Sequence, residues 1–198
     1  ESNLDAIRWI DNWPNWSHNS SGLNVVGPKS SGKTHLGSVW CSLSKAEWVN
    51  APITDGMRVP DILKNGQHIV LDNFNHTWPG VPLLHLYNLV RERKGFMLII
   101  SNTPVAQLGF APDDLASRLS TIPVVAIKPP DDFLLKEVML KLFKDRQIAV
   151  ENGVVDYLVV RMERSFEAAL RLVNLLDKKA LAEKNRITIP LASRVLRK

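Results

Sequence analysis

A chain of 198 residues and 22.3 kDa with 45% hydrophobic residues can bury a sizeable core and holds one large domain or two small ones. No apolar run is long enough to span a bilayer, no signal-peptide pattern opens the chain, and the single cysteine, Cys41, leaves nothing for a disulfide framework, so a cytoplasmic protein with no membrane attachment is expected. The formal net charge of +5 divides into +1 over residues 1–128 and +4 over 129–198, which weakly favours an acidic partner for the C-terminal part and otherwise describes a solvated surface.

In chain order, residues 3–12 place Leu4, Ile7 and Ile10 on one helical stripe, with Asn3 or Ser2 available as N-cap. Trp9, Trp13 and Trp16 follow around Pro14; they are expected to anchor this helix on the core, and flanking a base is the alternative. The run Leu23 to Val26 reads as a buried strand. It delivers the chain to Gly27-Pro28-Lys29-Ser30-Ser31-Gly32-Lys33-Thr34, a match to G-x-x-x-x-G-K-[ST], and a helix pattern follows from Thr34 to Leu43. Glycines let such a loop turn its amides inward, and the helix adds its positive N-terminal end, so the segment reads as a phosphate cradle. Lys33 would neutralise the β- and γ-phosphates and Thr34 would ligate Mg²⁺. The adjoining His35 is grouped with the loop and otherwise is a packed or solvated residue of the helix.

Short continuous apolar segments at 47–49, 69–71, 96–100 and 124–127 read as strands buried on both faces of a parallel sheet. Helical patterns at 59–64, 81–93 and 113–119 lie between them, which gives an α/β sheet with crossover helices over residues 1–128. After Pro129-Pro130 only helix-period segments remain. Asp131 or Asp132 caps one carrying Leu135, Val138, Met139 and Leu142; 154–161 and 165–181 give two more, and Pro190 opens a last short one. Residues 129–198 are therefore expected to form a second, helical domain.

Four further residues suit the chemistry of a phosphate loop. Asp72 ends the strand Ile69-Val70-Leu71 and is placed to hold Mg²⁺. The next residue, where a water-activating acid is common in hydrolases of this kind, is Asn73; its carboxamide can hold a water but has no site to take its proton near neutral pH, so hydrolysis at this site should be slow. Asn102 follows the strand 96–100 as a candidate phosphate sensor or a plain turn residue. Arg118 lies in Asp114-Leu115-Ala116-Ser117-Arg118-Leu119, and arginine suits a planar, permanently charged contact to a transferring phosphate. Arg164, at the start of the third helix after Pro130, could close onto nucleotide. His18, His35, His68, His76 and His85 share no ligand spacing.

These elements in this order resemble the AAA+ family. Gly32-Lys33-Thr34-His35-Leu36, Leu71-Asp72-Asn73, Leu86-Tyr87-Asn88, the Leu-Ala-Ser-Arg-Leu run ending at Leu119, and Ile187-Thr188-Ile189-Pro190-Leu191 resemble the Hda proteins, short relatives of the bacterial replication initiator DnaA. The resemblance covers essentially the whole chain. It implies a P-loop AAA+ parallel-sheet domain followed by an α-helical lid, ADP or ATP with Mg²⁺ as ligands, and DnaA as partner, whose bound ATP is hydrolysed with the help of the DNA-loaded sliding clamp. It also implies that Arg118 is an arginine finger acting in trans, Arg164 a lid arginine, Lys33 and Thr34 the phosphate-loop pair and Asp72 the Mg²⁺-side acid. Such proteins bind the clamp through an N-terminal glutamine- and leucine-rich motif. None precedes Ser2-Asn3-Leu4, so it lies upstream of Glu1 or this relative engages the clamp otherwise. A homodimer stays open. Two alternatives stand beside this reading. One is a free-standing AAA+ ATPase resembling a helicase loader. The other is weak or indirect DNA binding through Lys178, Lys179, Lys184, Arg186, Arg194, Arg197 and Lys198. A small-molecule kinase is disfavoured by the size of the segment after Lys128.

Overall fold

Five short strands, Gly22–Val26 (β1), Glu47–Val49 (β2), Ile69–Phe74 (β3), Met97–Ser101 (β4) and Val124–Ala126 (β5), pair in parallel in the order β2-β3-β4-β1-β5. The computed structural model describes residues 3–16, 20–53, 59–64, 66–183 and 185–196. Two compact units emerge, one of residues 3–28 with 32–128, the other of 129–198 with 29–31.

In the first unit the two-residue period of the strands sorts the core onto the two faces of the sheet. Ile69, Leu71, Met97 and Ile99 point to one side, where Gly80–Glu92 (α4) and Asp113–Ser120 (α5) bring Leu83, Leu86, Val90, Leu115 and Leu119. Leu23, Val25, Val70, Leu98 and Ile100 point to the other, where Leu4–Asp11 (α1) and Lys33–Ser44 (α2) bring Ala6, Ile10 and Trp40. A helix Val59–Ile62 (α3) is shorter than the 59–64 expected. The expectation of strands buried on both faces holds for β1, β3 and β4 in the middle of the sheet. It fails at the edges: β2 is half-buried throughout and β5 alternates exposed, buried, exposed. Edge strands have a neighbour on one side only, so their side chains lack the flanking side chains that help to cover those of an inner strand.

The tryptophans do anchor the first helix. Trp16 is buried and stacks on Trp40 with centroids 5.4 Å apart, while its indole N–H donates to the Trp9 carbonyl at 2.6 Å. Asn3 sits at the N-cap but makes no side-chain cap bond. Its Oδ1 instead accepts from the Lys128 backbone N–H at 3.0 Å, tying the start of α1 to the chain just beyond β5. Ser2, the other N-cap candidate, lies outside the described residues, as do Glu1 and His18.

His68 lies among these rings, stacked on Phe96 at 5.8 Å and edge-on to Trp13 and Trp40. Its Nδ1 accepts from the Phe96 N–H at 3.1 Å, and burial holds its pKa below the ordinary histidine value of 6.5. A base that resists protonation when folded but takes a proton freely when unfolded contributes stability above that ordinary value and loses it as pH falls below it. Thermal melts from pH 7.5 to pH 5.5 should therefore show a falling Tm that His68→Asn makes shallower; parallel slopes would show that His68 does not contribute.

The second unit contains Asp132–Asp145 (α6), Asn152–Val159 (α7), Phe166–Glu183 (α8) and Ile189–Leu196 (α9), with no strand among its described residues. Asp131 is the N-cap of α6 and accepts from the Leu134 N–H at 2.8 Å, worth about 1 kcal/mol. Leu135, Met139, Phe143, Val155, Leu158, Ala169, Val173, Leu176, Leu191 and Ala192 form its core. No helix of the described residues is long and apolar enough to cross a membrane.

Candidate nucleotide site

The loop from Gly27 to Thr34 leaves the inner strand β1 and enters α2. Gly32 is the N-cap of α2 with φ of 99°, in the left-handed region that glycine enters freely, and the Ser30 φ of 59° adds a second reversal of the chain. Lys33, the first residue of α2, is buried and all three donors of its ammonium have an acceptor: the carbonyls of Gly27 at 2.8 Å and Pro28 at 2.7 Å, and Asn102 Oδ1 at 3.2 Å. Burial pushes its pKa below the usual lysine value, and the nearby Asp72 carboxylate partly offsets this. Pro28 and Lys29 are exposed, as is His35 on α2, the solvated alternative for that residue.

Asp72 is brought beside the loop by β3. Its Oδ2 accepts from the Thr34 hydroxyl at 3.3 Å and its Oδ1 from the Asn73 backbone N–H at 2.8 Å. Here the register of β3 against β4 shifts between Leu71 and Phe74, and Asn73 takes a φ of 54°, a left-handed conformation that asparagine tolerates better than most residues. The shift turns the exposed Asn73 side chain out of the alternation while Asp72 stays buried. A carboxylate and a hydroxyl side by side are hard oxygen donors of the kind Mg²⁺ takes, and the Lys33 ammonium suits a phosphate oxygen. Among the described residues no group of three His, Cys, Asp or Glu could hold a metal alone, so any Mg²⁺ would depend on phosphate and water for its remaining ligands.

Asn102 stands just past the end of β4, next to β1 in the sheet, which explains its reach to Lys33. Arg118, on α5, is not a free cation. Its Nε lies 3.0 Å from Asp114 Oδ1 one turn earlier, and its guanidinium lies over the Tyr87 ring, 5.7 Å from the centroid. Arg164 precedes α8 by two residues instead of opening it; it is exposed and pairs with Asp132 at 3.0 Å. Within the first unit Lys33, Thr34, Asp72 and Asn102 converge at the carboxyl ends of β1, β3 and β4, whereas Arg118 makes its contacts with Asp114 and Tyr87. Of the basic residues considered for DNA, Arg194 is held by Glu183 at 2.6 Å, and Lys184, Arg197 and Lys198 lie outside the described residues.

Sequence reasoning missed Asn24. The stretch around it reads as a run of apolar residues, yet the Asn24 carboxamide is fully buried in β1. The signal was present: an asparagine in the middle of a central strand must find partners there. It also gave no role to Asp114 or Tyr87, the two neighbours of Arg118.

Residues 136–196 match the family described as the Hda lid domain. A curated relative, an uncharacterized protein of Haemophilus influenzae, is 23% identical over 192 residues, covering 87% of this chain and 80% of its own length. Domain III of the Thermotoga maritima replication initiation protein DnaA superposes with a TM-score of 0.81 at 14% identity, covering 99% of this chain and 91% of that one. AMPPCP-bound DnaA from Aquifex aeolicus gives a TM-score of 0.70 at 16% identity, covering 93% of this chain and 67% of that one. The parallel five-stranded sheet with its helices has the fold seen in that DnaA domain. Residues 136–196 are thus similar to the Hda lid domain, and the chain as a whole has the fold of domain III of DnaA.

Proposed function

We propose that this protein is a nucleotide-binding regulator of chromosomal replication initiation that acts on DnaA in the cytoplasm. ADP or ATP with Mg²⁺ is bound at its own loop, and its effect is to promote hydrolysis of the ATP held by DnaA, together with the DNA-loaded sliding clamp. The observation that carries this reading is the convergence of Lys33, Asn102, Thr34 and Asp72 at the Gly27–Thr34 loop together with Asn73 directly after Asp72. The first supports binding; the second removes the general base that rapid turnover at the same site would use. The lid-family match and the DnaA-like fold support the replication setting.

In this reading Lys33 and the loop's backbone N–H groups, which Pro28 lacks, hold the phosphates, Thr34 and Asp72 hold Mg²⁺, Asn102 faces the terminal phosphate, and Arg164 is the lid arginine of the family resemblance. Arg118 is offered to the ATP of DnaA. The Asp114 carboxylate and the Tyr87 ring restrict its rotamers beforehand, so less entropy is lost on engagement.

Calorimetric titration with ADP and with AMPPCP should give saturable binding that Lys33→Met weakens about tenfold to a hundredfold, the range for losing a charge-assisted bond to phosphate. Affinities unchanged in that variant would remove the loop from the site. Purified protein with DnaA, DNA-loaded clamp and ATP should hydrolyse ATP far faster than any component alone. Strong turnover by the isolated protein, lost in Asp72→Asn, would instead favour a free-standing ATPase.

A further inference from the structure

Asn24 sits in β1 between β4 and β5 with none of its surface exposed. A buried carboxamide without partners costs about 1–3 kcal/mol, so an apolar residue is the default for such a place. Here the amide is bonded at both ends. Its Nδ2 donates to the Ile99 carbonyl at 3.0 Å and to Ser101 Oγ at 2.9 Å, and its Oδ1 accepts from the Val105 backbone N–H at 3.0 Å. Ser101 Oγ, itself buried, donates onward to the Thr103 carbonyl at 2.7 Å.

Residues 101 and 105 are thereby fixed directly, and 103 through Ser101, to one side chain more than seventy positions earlier in the chain, and Asn102 lies between 101 and 103. Asn102 is exposed, and the bond it makes to Lys33 Nζ is the longest of that ammonium's three. Its position is set by the buried network beneath it. The turn then runs directly into the 3-10 helix Val105–Gln107, whose first N–H is the one that Asn24 accepts.

We propose that Asn24, with Ser101, is a positioning residue that holds Asn102 against the terminal-phosphate place and so sets the preference of the site for ATP over ADP. The inference rests on the nucleotide reading above and deepens it. Lys33 and the loop contact any polyphosphate, so they supply affinity common to both nucleotides. Asn102 meets the one phosphate that distinguishes them, so whatever fixes Asn102 contributes to discrimination. A network that is merely structural would affect both ligands alike.

The test is titration of wild-type protein, Ser101→Ala, Ser101→Thr and Asn24→Leu with AMPPCP and with ADP. Ser101→Ala and Asn24→Leu should each weaken AMPPCP about tenfold, the effect of one misplaced neutral hydrogen bond, with ADP unchanged within about twofold. Ser101→Thr, which keeps the hydroxyl, should retain the wild-type ratio. Hydrogen exchange on the wild-type protein supplies a readout free of any substitution. The amides of 101–105 should be better protected with AMPPCP than with ADP, and this decides the matter should Asn24→Leu fail to fold. Equal weakening of both nucleotides, an unmoved ratio, or identical exchange with both overturns the proposal while leaving the nucleotide reading intact. Wild-type protein that binds neither nucleotide overturns both.

Discussion

Replacing Arg118 with alanine should lower the DnaA-dependent ATPase of a reaction containing DnaA and DNA-loaded clamp by about a thousandfold, the lower end of what an arginine supplied in trans contributes to phosphoryl transfer. ADP affinity of the variant should stay within about twofold, because Arg118 makes its contacts on α5 and α4 and none with the phosphate loop. Arg118→Lys should be nearly as impaired: an ammonium lacks the planar fork and cannot share the Asp114 contact while lying flat on Tyr87. Asp114→Asn should give an intermediate loss, since the guanidinium keeps its chemistry but not its rest position. Hydrolysis rates under single-turnover conditions are the measurement. A fall in ADP binding that matches the fall in stimulated hydrolysis would assign Arg118 to the protein's own site and end its role as a finger.

Local patterns are legible in the sequence, whereas the order of the strands is not. The phosphate loop and the Asp72 that follows an apolar run are local patterns, each set by a strand end and the residues next to it, and the structure brings Lys33, Thr34 and Asp72 together. From the sequence Asn102 reads equally as a candidate phosphate sensor and as a plain turn residue. That it meets Lys33 depends on β4 lying beside β1, a property of sheet order that no local period encodes. Asn24 escaped for the same reason, its partners lying 75 to 81 residues away. The edge character of β2 and β5 was hidden too, because a three-residue apolar run looks alike in the middle of a sheet and at its rim.

Gly95→Ala should be the most damaging single-methyl change in the first unit. A Cβ at Gly95 would lie 1.6 Å from the Gln67 carbonyl oxygen and 2.6 Å from its carbon, both backbone atoms that no rotamer can clear. Gly95 closes the turn between α4 and β4: its N–H donates to the Val90 carbonyl at 2.8 Å, and Lys94 before it has a φ of 55°. The strand beginning at Met97 could make room only by leaving its register with β3 and β1. A loss of about 3 kcal/mol is expected, at the upper end for overpacking. Gly153→Ala, on α7 with nothing within 4 Å of the added methyl, is the matched control and should be neutral or stabilising by up to about 1 kcal/mol. Denaturant melts of the two variants beside wild type would settle the comparison. Equal midpoints for Gly95→Ala and wild type would mean that the 67–95 contact yields at little cost.

The stacked pair of Trp16 and Trp40 has an optical consequence. Trp40 lies on the same helix that starts at Lys33, and its ring is 20° from parallel to that of Trp16, with Trp13 edge-on at 6.1 Å. Closely stacked indoles couple their near-ultraviolet transitions, and the coupling changes steeply with distance and tilt. Any movement of α2 that accompanies phosphate binding would register as a change in near-ultraviolet circular dichroism and in tryptophan emission. The protein thus carries an unlabelled spectroscopic gauge of the loop from Gly27 to Thr34, fit for stopped-flow mixing with ADP as the test ligand.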